Sequence, residues 1–175
     1  MIAWLALACS PSADDIAKAI VSDNPVMRQD GAKIGQNYDD DVVVDALQKV
    51  ITDPSEQVRL NAIESLAELE ATAAGPALIE RLMTDTSPAV RLAAADALGR
   101  LKVKEAVIPL VQYLATYPAS DRGQLAGVWA LGNIGAEGLP ANEKKVALDC
   151  LVALRGATTD RWVTFQTEMA LRTLK

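Results

Sequence analysis

One pattern of apolar and polar positions occurs twice in the middle of the chain. The segment 53–69 returns 32 positions later, at 85–101, with a Val-Arg pair and a similar order of small and large apolar residues. Weaker copies are anchored at 27–28, 123–124 and 163–164. Because such a segment cannot bury its apolar face alone, neighbouring copies must stack on one another. The pattern therefore predicts a repeat protein.

The apolar residues of each copy recur three and four positions apart, which places them along one stripe of an amphipathic helix. A break and a second apolar run follow each helix, so each unit is predicted to be a helical hairpin. No segment shows the period-two alternation of a strand, and the predicted fold class is all-α. The second apolar runs cover residues 42–51, 77–83, 106–114 and 146–154.

The breaks between these runs carry residues that commonly begin helices. Ser and Asp side chains accept hydrogen bonds from first-turn amides, and Pro is tolerated there because its missing amide costs little. Pro109 aligns next to Ala77, so we place it in the first turn of its helix rather than in a kinked interior. The candidate caps are Asp39, Asp53, Asp85, Ser87 and Asp121, and the candidate first-turn prolines are Pro25, Pro54, Pro76 and Pro88.

This pattern resembles the HEAT repeat, in the short bacterial form also seen in phycobilisome-lyase-like proteins, over roughly residues 12–175. The resemblance implies a right-handed α-α superhelix, a HEAT-like solenoid of about four and a half hairpins. It also implies a ladder between adjacent repeats, formed by an Asp in the turn and an Arg six positions later. Asp53 with Arg59, and Asp85 with Arg91, fit that spacing. The other copies depart from it, with Asp23 five positions before Arg28 and with Gln124 and Thr164 in place of Arg.

The first nine residues are uncharged and apolar, and the sequence then changes abruptly to Ser-Pro-Ser-Ala-Asp-Asp. This junction resembles a bacterial lipobox, in which small residues precede a Cys that is lipidated. The resemblance implies that residues 1–9 are the remnant of a lipoprotein signal and that Cys9 anchors the protein in a bacterial cell envelope. No Lys or Arg precedes the short apolar run, which departs from such signals. The alternative is a cytoplasmic protein whose residues 1–8 form an apolar tail or one turn of a capping helix.

Composition bears on the class of function. The chain has 17 Lys and Arg against 23 Asp and Glu, and this net charge of −6 opposes nucleic-acid binding. It contains no His, the commonest general base and metal ligand, and no Gly-rich phosphate loop or paired-Cys site. We therefore expect no enzyme, no metal and no cofactor. The acidic run 39–41 is interpreted as the start of a helix rather than as a calcium site.

Two surfaces are candidates for binding a protein or peptide partner. Lys49, Glu80 and Gln112 occupy equivalent positions in the second helices, which the family resemblance places on the concave, partner-binding side. Charged and polar side chains here suit a protein better than a polyanion. Residues near this stripe, and proposed with it, are Arg81, Tyr113 and Tyr117.

The second surface lies toward the carboxyl end. The column that holds Lys33, Glu64 and Asp96 in the first three units changes to Trp129 and Met169 in the last two. One interpretation is a partner or self-association patch that also includes Ala126, Trp162 and Phe165. The other is that the loop 135–143 folds over Trp129, with Leu139 as the contact. Because the chain stops after the first helix of its fifth unit, weak self-association at the carboxyl end is also expected.

Together these observations predict a non-catalytic protein-protein interaction scaffold, held at a membrane by lipid. The alternatives are a cytosolic HEAT adaptor protein and, in a different class, a bilin-lyase-like accessory enzyme.

Overall fold

The computed structural model describes residues 10–116 and 121–175, and the statements below concern these residues. They form α-helices joined by short turns and contain no β-strand, which confirms the all-α fold. Two short 3-10 turns, Thr72–Ala74 and Lys104–Ala106, precede the fifth and seventh helices. The helices are α1 (Ala13–Ile20), α2 (Pro25–Gly35), α3 (Asp41–Val50), α4 (Glu56–Glu68), α5 (Gly75–Thr84), α6 (Pro88–Arg100), α7 (Val107–Thr116), α8 (Asp121–Ile134), α9 (Ala141–Ala157) and α10 (Arg161–Thr173).

The helices are arranged in two layers. The even-numbered helices α2, α4, α6, α8 and α10 pack side by side in chain order and form the first layer. The odd-numbered helices form the second layer, and each of them packs against the even-numbered helix that follows it. The predicted stack of helical hairpins is therefore confirmed, and α1 adds a second-layer helix before the first predicted unit.

The core lies between and along these layers. Ala32, Ile63, Ala95 and Val128 occupy one column of the first layer and are fully buried, because each faces the next helix of the stack. A leucine column does the same in the second layer, and its members Leu47, Leu78, Leu110 and Leu151 are also fully buried. Repetition of the apolar pattern in sequence thus becomes a continuous core along the stack.

Small residues set the distance between neighbouring helices. A Cβ built on Gly99 of α6 would lie 2.6 Å from the Cα of Ala130 in α8. A Cβ on Gly132 would lie 3.2 Å from the Cα of Ala170 in α10. A real Cβ atom does not come as close to a backbone atom as 2.6 Å. Glycine at position 99 therefore permits an approach of α6 to α8 that alanine does not.

The helix starts agree only in part with the sequence prediction. Ser87 caps α6 as predicted, and its Oγ accepts a hydrogen bond from the Val90 amide. The cap of α3 is Asp40 rather than Asp39, and Asp53 does not cap α4, whose N-cap position is Ser55. Among the prolines, Pro54 precedes this cap and so lies outside the helix. Pro25, Pro76, Pro88 and Pro109 do lie in the first turns of their helices.

Candidate interaction surfaces

A buried ladder of arginine and aspartate side chains connects the first three helices of the first layer. Arg59 of α4 donates from Nε and Nη2 to the two carboxylate oxygens of Asp85, both at 2.9 Å. Its Nη1 donates to the backbone oxygen of Asp53 at 2.8 Å. Arg59 therefore binds the carbonyl of the turn before its own helix and the carboxylate of the next turn. This arrangement joins adjacent repeats and confirms the predicted ladder at Arg59.

Arg28 belongs to the ladder although its spacing from Asp23 departs from the family pattern. Its Nε donates to Asp53 Oδ2 at 2.6 Å, and its Nη1 donates to the backbone oxygens of Ser22 and Asp23 at 2.9 and 3.1 Å. Arg28 binds only the carbonyl oxygen of Asp23. The ladder therefore does not depend on how many positions separate the Asp23 side chain from Arg28. Arg91 likewise donates to the backbone oxygen of Asp85.

The ladder has a structural role and does not form a ligand site. Asp85 is buried, and burial by itself opposes its ionisation. The hydrogen bonds from Arg59 and the Ser87 amide, with the positive charges of Arg59 and Arg81, outweigh that effect and hold the pKa of Asp85 below its ordinary value. An ionised, fully bonded carboxylate at this position has no free oxygen to offer to a partner.

Two further bonds between repeats were not predicted from the sequence. Ser65 Oγ donates to the backbone oxygen of Ala32 at 2.6 Å, and Asn61 Nδ2 donates to that of Gln29 at 2.9 Å. Both side chains lie on the face of α4 that packs against α2. The available signal was a polar residue in a column that is alanine in the three later repeats, since Ser65 aligns with Ala97, Ala130 and Ala170.

The predicted stripe on the second helices is only partly exposed. Lys49, Glu80 and Gln112 are exposed on α3, α5 and α7, so the structure places them on the surface of the second layer. Arg81 is mostly covered, forms an ion pair with Glu80, and has its Nη1 3.8 Å from Asp85 Oδ2. Tyr113 requires a correction: it is only 4% exposed because its ring packs into the core, so it is not part of an open stripe.

Other exposed side chains extend this surface, which we call the second-layer surface. Pro76 and Met83 of α5 and Ala115 of α7 lie beside the stripe residues and are exposed. They are uncharged, and charged residues concentrate at α3, which carries Asp45 and Lys49. The predicted member Tyr117 lies outside the described residues, as does Cys9.

A cavity of about 400 Å³ lies at the edge between the layers. Its lining combines the first turn of α6 with the buried Tyr113 and the start of α8, including Arg122. Arg91 also reaches this lining, in addition to its contact with the turn before α6.

Large apolar side chains are exposed on α10. Trp162, Phe165 and Met169 are 71%, 54% and 43% exposed and follow one another at three- and four-residue spacing, so they form one stripe. The opposite side of α10 is buried against α8 and α9. We call these three residues the α10 stripe. A cavity of about 410 Å³ opens beside Arg161, Trp162 and Phe165.

Trp129 differs from the residues of the α10 stripe. It is half-buried, and its ring atom Cζ3 lies 3.0 Å from the position of a Cβ on Gly99, so the indole rests on α6. In the loop after α8, a Cβ on Gly138 would meet Lys104 Nζ at 2.6 Å, and Leu139 packs against the core. In the described structure, α6 of the preceding repeat is therefore a neighbour that covers part of Trp129.

The remaining described side chains that could react or bind a metal either have a structural role or lie apart from one another. Cys150 is half-buried on α9 and free, and burial raises the pKa of its thiol. Within residues 10–116 and 121–175, no three His, Cys, Asp or Glu side chains meet as a metal site requires.

A sequence profile of HEAT repeats matches this chain at residues 13–85, 44–127 and 74–172. The chain belongs to the HEAT-repeat family. HEAT repeats form a generally non-catalytic fold that typically binds other proteins, and the two-layer stack described above has that architecture.

Solved structures show the same fold at low sequence identity. One is the complex of CpcE and CpcF of phycocyanin lyase from Nostoc sp. PCC7120, with a TM-score of 0.79 and 22% identity over 100% of this chain and 70% of that chain. Another is an engineered protein, with a TM-score of 0.65 and 15% identity over 95% of this chain and 99% of that chain. No match was found among curated protein sequences.

Proposed function

We propose that this HEAT-repeat protein is a non-catalytic scaffold that binds a segment of another protein along its second-layer surface. The observation that carries the proposal is the alignment of exposed Lys49, Glu80 and Gln112 at equivalent positions of three successive second-layer helices. The buried ladder supports this proposal, because repeats that are bonded to one another hold these positions at a fixed spacing. Rigid presentation reduces the entropy that binding costs.

The chemistry of the second-layer surface favours a peptide or protein segment of mixed character. Met83 of α5 offers a flexible apolar contact, while Lys49 of α3 and Gln112 of α7 offer polar groups on the second-layer helices before and after it. The net charge of −6 makes a nucleic-acid partner unfavourable.

Site-specific photo-crosslinking in the native host tests this proposal. A photoreactive amino acid replaces Gln112 on α7, and the matched control carries it at Glu64, which is exposed on the first layer. We expect a discrete adduct from position 112 that position 64 does not give, and its loss in a Lys49→Glu, Glu80→Lys double variant. Equal labelling from both layers would contradict binding along the second layer.

We further propose that lipid at Cys9 tethers the scaffold to a bacterial envelope membrane. The support is the small-residue sequence before Cys9 and the short distance along the chain to α1, which begins at Ala13 with Ser12 as its cap. Acyl chains would then hold the amino end of the stack close to the lipid surface. The part of the chain that the structure describes contains no helix long and apolar enough to cross a bilayer.

Metabolic labelling with a fatty-acid analogue tests the tether. Labelled protein in the membrane fraction is expected, and Cys9→Ala should abolish both the label and the fractionation, whereas Cys150→Ala should change neither. Unlabelled protein in the soluble fraction would instead support the cytosolic adaptor.

A second candidate is an accessory role in bilin attachment, which the likeness to the phycocyanin lyase complex favours. The cavity of about 400 Å³ offers Arg122 to an acidic group. Incubating the protein with a linear tetrapyrrole and recording its visible spectrum distinguishes this role. A spectral change that Arg122→Ala removes would favour it over the pure scaffold.

A further inference from the structure

The α10 stripe has no counterpart of equal apolar character in the other repeats. The positions equivalent to Trp162, Phe165 and Met169 hold Gln57, Leu60 and Glu64 in α4. The equivalent residues are Ala89, Leu92 and Asp96 in α6 and Arg122, Leu125 and Trp129 in α8, and the preceding helix partly covers Trp129. Exposed clusters of large apolar side chains with charged neighbours mark interaction sites.

The side of α10 that points along the stack is unsuited to another helix. Glu168 occupies the column in which Val128 and Ala95 are fully buried by the next helix. Arg172 occupies the column of Gly99 and Gly132, where neighbouring helices approach closely. A further helix that packed on this side of α10, as α10 packs on α8, would bury the Glu168 carboxylate without a partner. It would also collide with the long side chain of Arg172. Contact through the α10 stripe avoids both costs.

Charged and apolar residues are arranged almost symmetrically about Phe165. Arg161 lies four residues before it and Glu168 three residues after it, while Trp162 lies three before and Met169 four after. Arg161 and Glu168 are both exposed, and neither forms an ion pair with another described residue. A helix with this order is complementary to itself when it runs antiparallel.

We propose that a second copy of this chain binds the α10 stripe, forming a homodimer in which the two α10 helices pack antiparallel about a two-fold axis near Phe165. Each Phe165 then packs against the other, and each Trp162 lies over the partner's Met169. The Arg161 guanidinium of each copy faces the partner's Glu168 carboxylate on the same flank. A two-fold interface of this kind repeats every contact twice.

The size of this contact sets the expected affinity. A helix of 13 residues is about 20 Å long, so two crossing helices bury less than the roughly 800 Å² per partner of a standard interface. The dimer is therefore weak, and its association is measured with the full 175-residue chain at concentrations from about 10 μM to 1 mM.

Sedimentation equilibrium provides the first test. The wild-type chain is expected to shift from monomer to dimer with concentration, and Phe165→Asp to remain monomeric throughout. Val152→Asp is the matched control, because Val152 is 50% exposed on α9 and lies outside the α10 stripe. A monomeric wild-type protein, or a dimer that survives Phe165→Asp, overturns the proposal.

Charge reversal tests the antiparallel arrangement. Glu168→Arg alone places like charges opposite each other twice and should weaken association about tenfold or more. Adding Arg161→Glu exchanges the two charges and should restore wild-type association. If the double variant associates no better than the single one, the antiparallel register is wrong.

A cysteine at the axis gives a test independent of affinity. Phe165→Cys, in a chain with Cys9→Ser and Cys150→Ala, should form a disulfide-linked dimer under mild oxidation, whereas Val152→Cys should not. No crosslink at position 165 counts against the axis. The photo-crosslinking at Gln112 concerns the other layer, so either proposal can fail alone.

Discussion

At the scale of single residues, Arg59 shows why the ladder stabilises the stack. Its guanidinium is buried and makes four hydrogen bonds, two to the carboxylate of Asp85 and one each to the carbonyls of Asp53 and Pro54. Two parallel N–H···O bonds between ionised groups are stronger than neutral ones and fix the relative orientation of their helices. Breaking such a buried pair leaves one charge without a partner.

Replacing Arg59 with Ala is therefore expected to lower the free energy of unfolding by about 3–5 kcal/mol, measured by urea denaturation. The matched control is Arg100→Ala. Arg100 pairs with Glu68 at 2.9 Å, but both side chains are well exposed, so its loss should cost less than about 1 kcal/mol. Similar losses for the two variants would show that the ladder does not hold the repeats together.

Asp96 provides a prediction with a defined pH dependence. Burial raises the pKa of Asp96, and the charge of Arg100 only partly opposes this effect. A folded-state pKa above the unfolded value of about 3.9 means that Asp96 stabilises the fold at low pH and loses that contribution as the pH rises. Asp96→Asn should therefore increase the free energy of unfolding at pH 7 and give little gain below about pH 3.9. A variant that is equally stabilised at both pH values would show that ionisation is not the cause.

At the scale of helices, close packing in the first layer depends on residues without large side chains. Helices α6 and α8 meet at Gly99 and Ala130, and α8 and α10 meet at Gly132 and Ala170. These contacts bring backbones together, so a single added carbon must displace a helix rather than a flexible side chain.

Gly99→Ala is expected to destabilise the protein by roughly 1–3 kcal/mol, because its Cβ would lie 2.6 Å from the Cα of Ala130. Gly156→Ala is the matched control. Gly156 is exposed in α9, and nothing lies within 4 Å of a Cβ built there. Since alanine favours helix over glycine, that variant should gain about 0.5–1 kcal/mol in thermal or urea unfolding. A gain at both positions would contradict the close approach of α6 and α8.

At the scale of the whole molecule, the ladder divides the stack unequally. Arginine–carboxylate pairs connect α2, α4 and α6 through Asp53 and Asp85. The positions equivalent to these arginines hold Gln124 in α8 and Thr164 in α10, so these two helices carry no arginine at the ladder position. In repeat proteins, stability is approximately a sum of unit and neighbour terms, so such differences remain local.

Amide hydrogen exchange should reveal this gradient. Amides in the centres of α4 and α6 are expected to exchange more slowly than those in the centres of α9 and α10, because opening α4 breaks ladder bonds on both sides and opening α6 breaks those to Asp85. In Arg59→Ala the protection of α4 and α6 should fall, while that of α10 changes little. Uniform protection along the chain would indicate one cooperative unit instead.

The stack and the ladder were predictable from the sequence because they repeat. An apolar period and the Asp–Arg spacing recur at 53–59 and 85–91, and recurrence separates signal from chance. The surfaces were harder to predict. Tyr113 was assigned to an open stripe because it neighbours Gln112, yet the helix turns it into the core, where it is 4% exposed. Adjacent residues in a helix point in different directions, and only packing shows which one is covered.

The sequence by itself determined the class of fold, the stack of hairpins and the two central arginines of the ladder, because each depends on local periodicity or on spacing within a turn. Tertiary structure decided which carboxylate each arginine binds. Arg28 binds Asp53 and Arg59 binds Asp85, each across to the next repeat. It also decided that α6 half covers Trp129 while Trp162 and Phe165 stay open. Burial depends on which helix is the neighbour in space, and an amphipathic pattern in one helix does not contain that information.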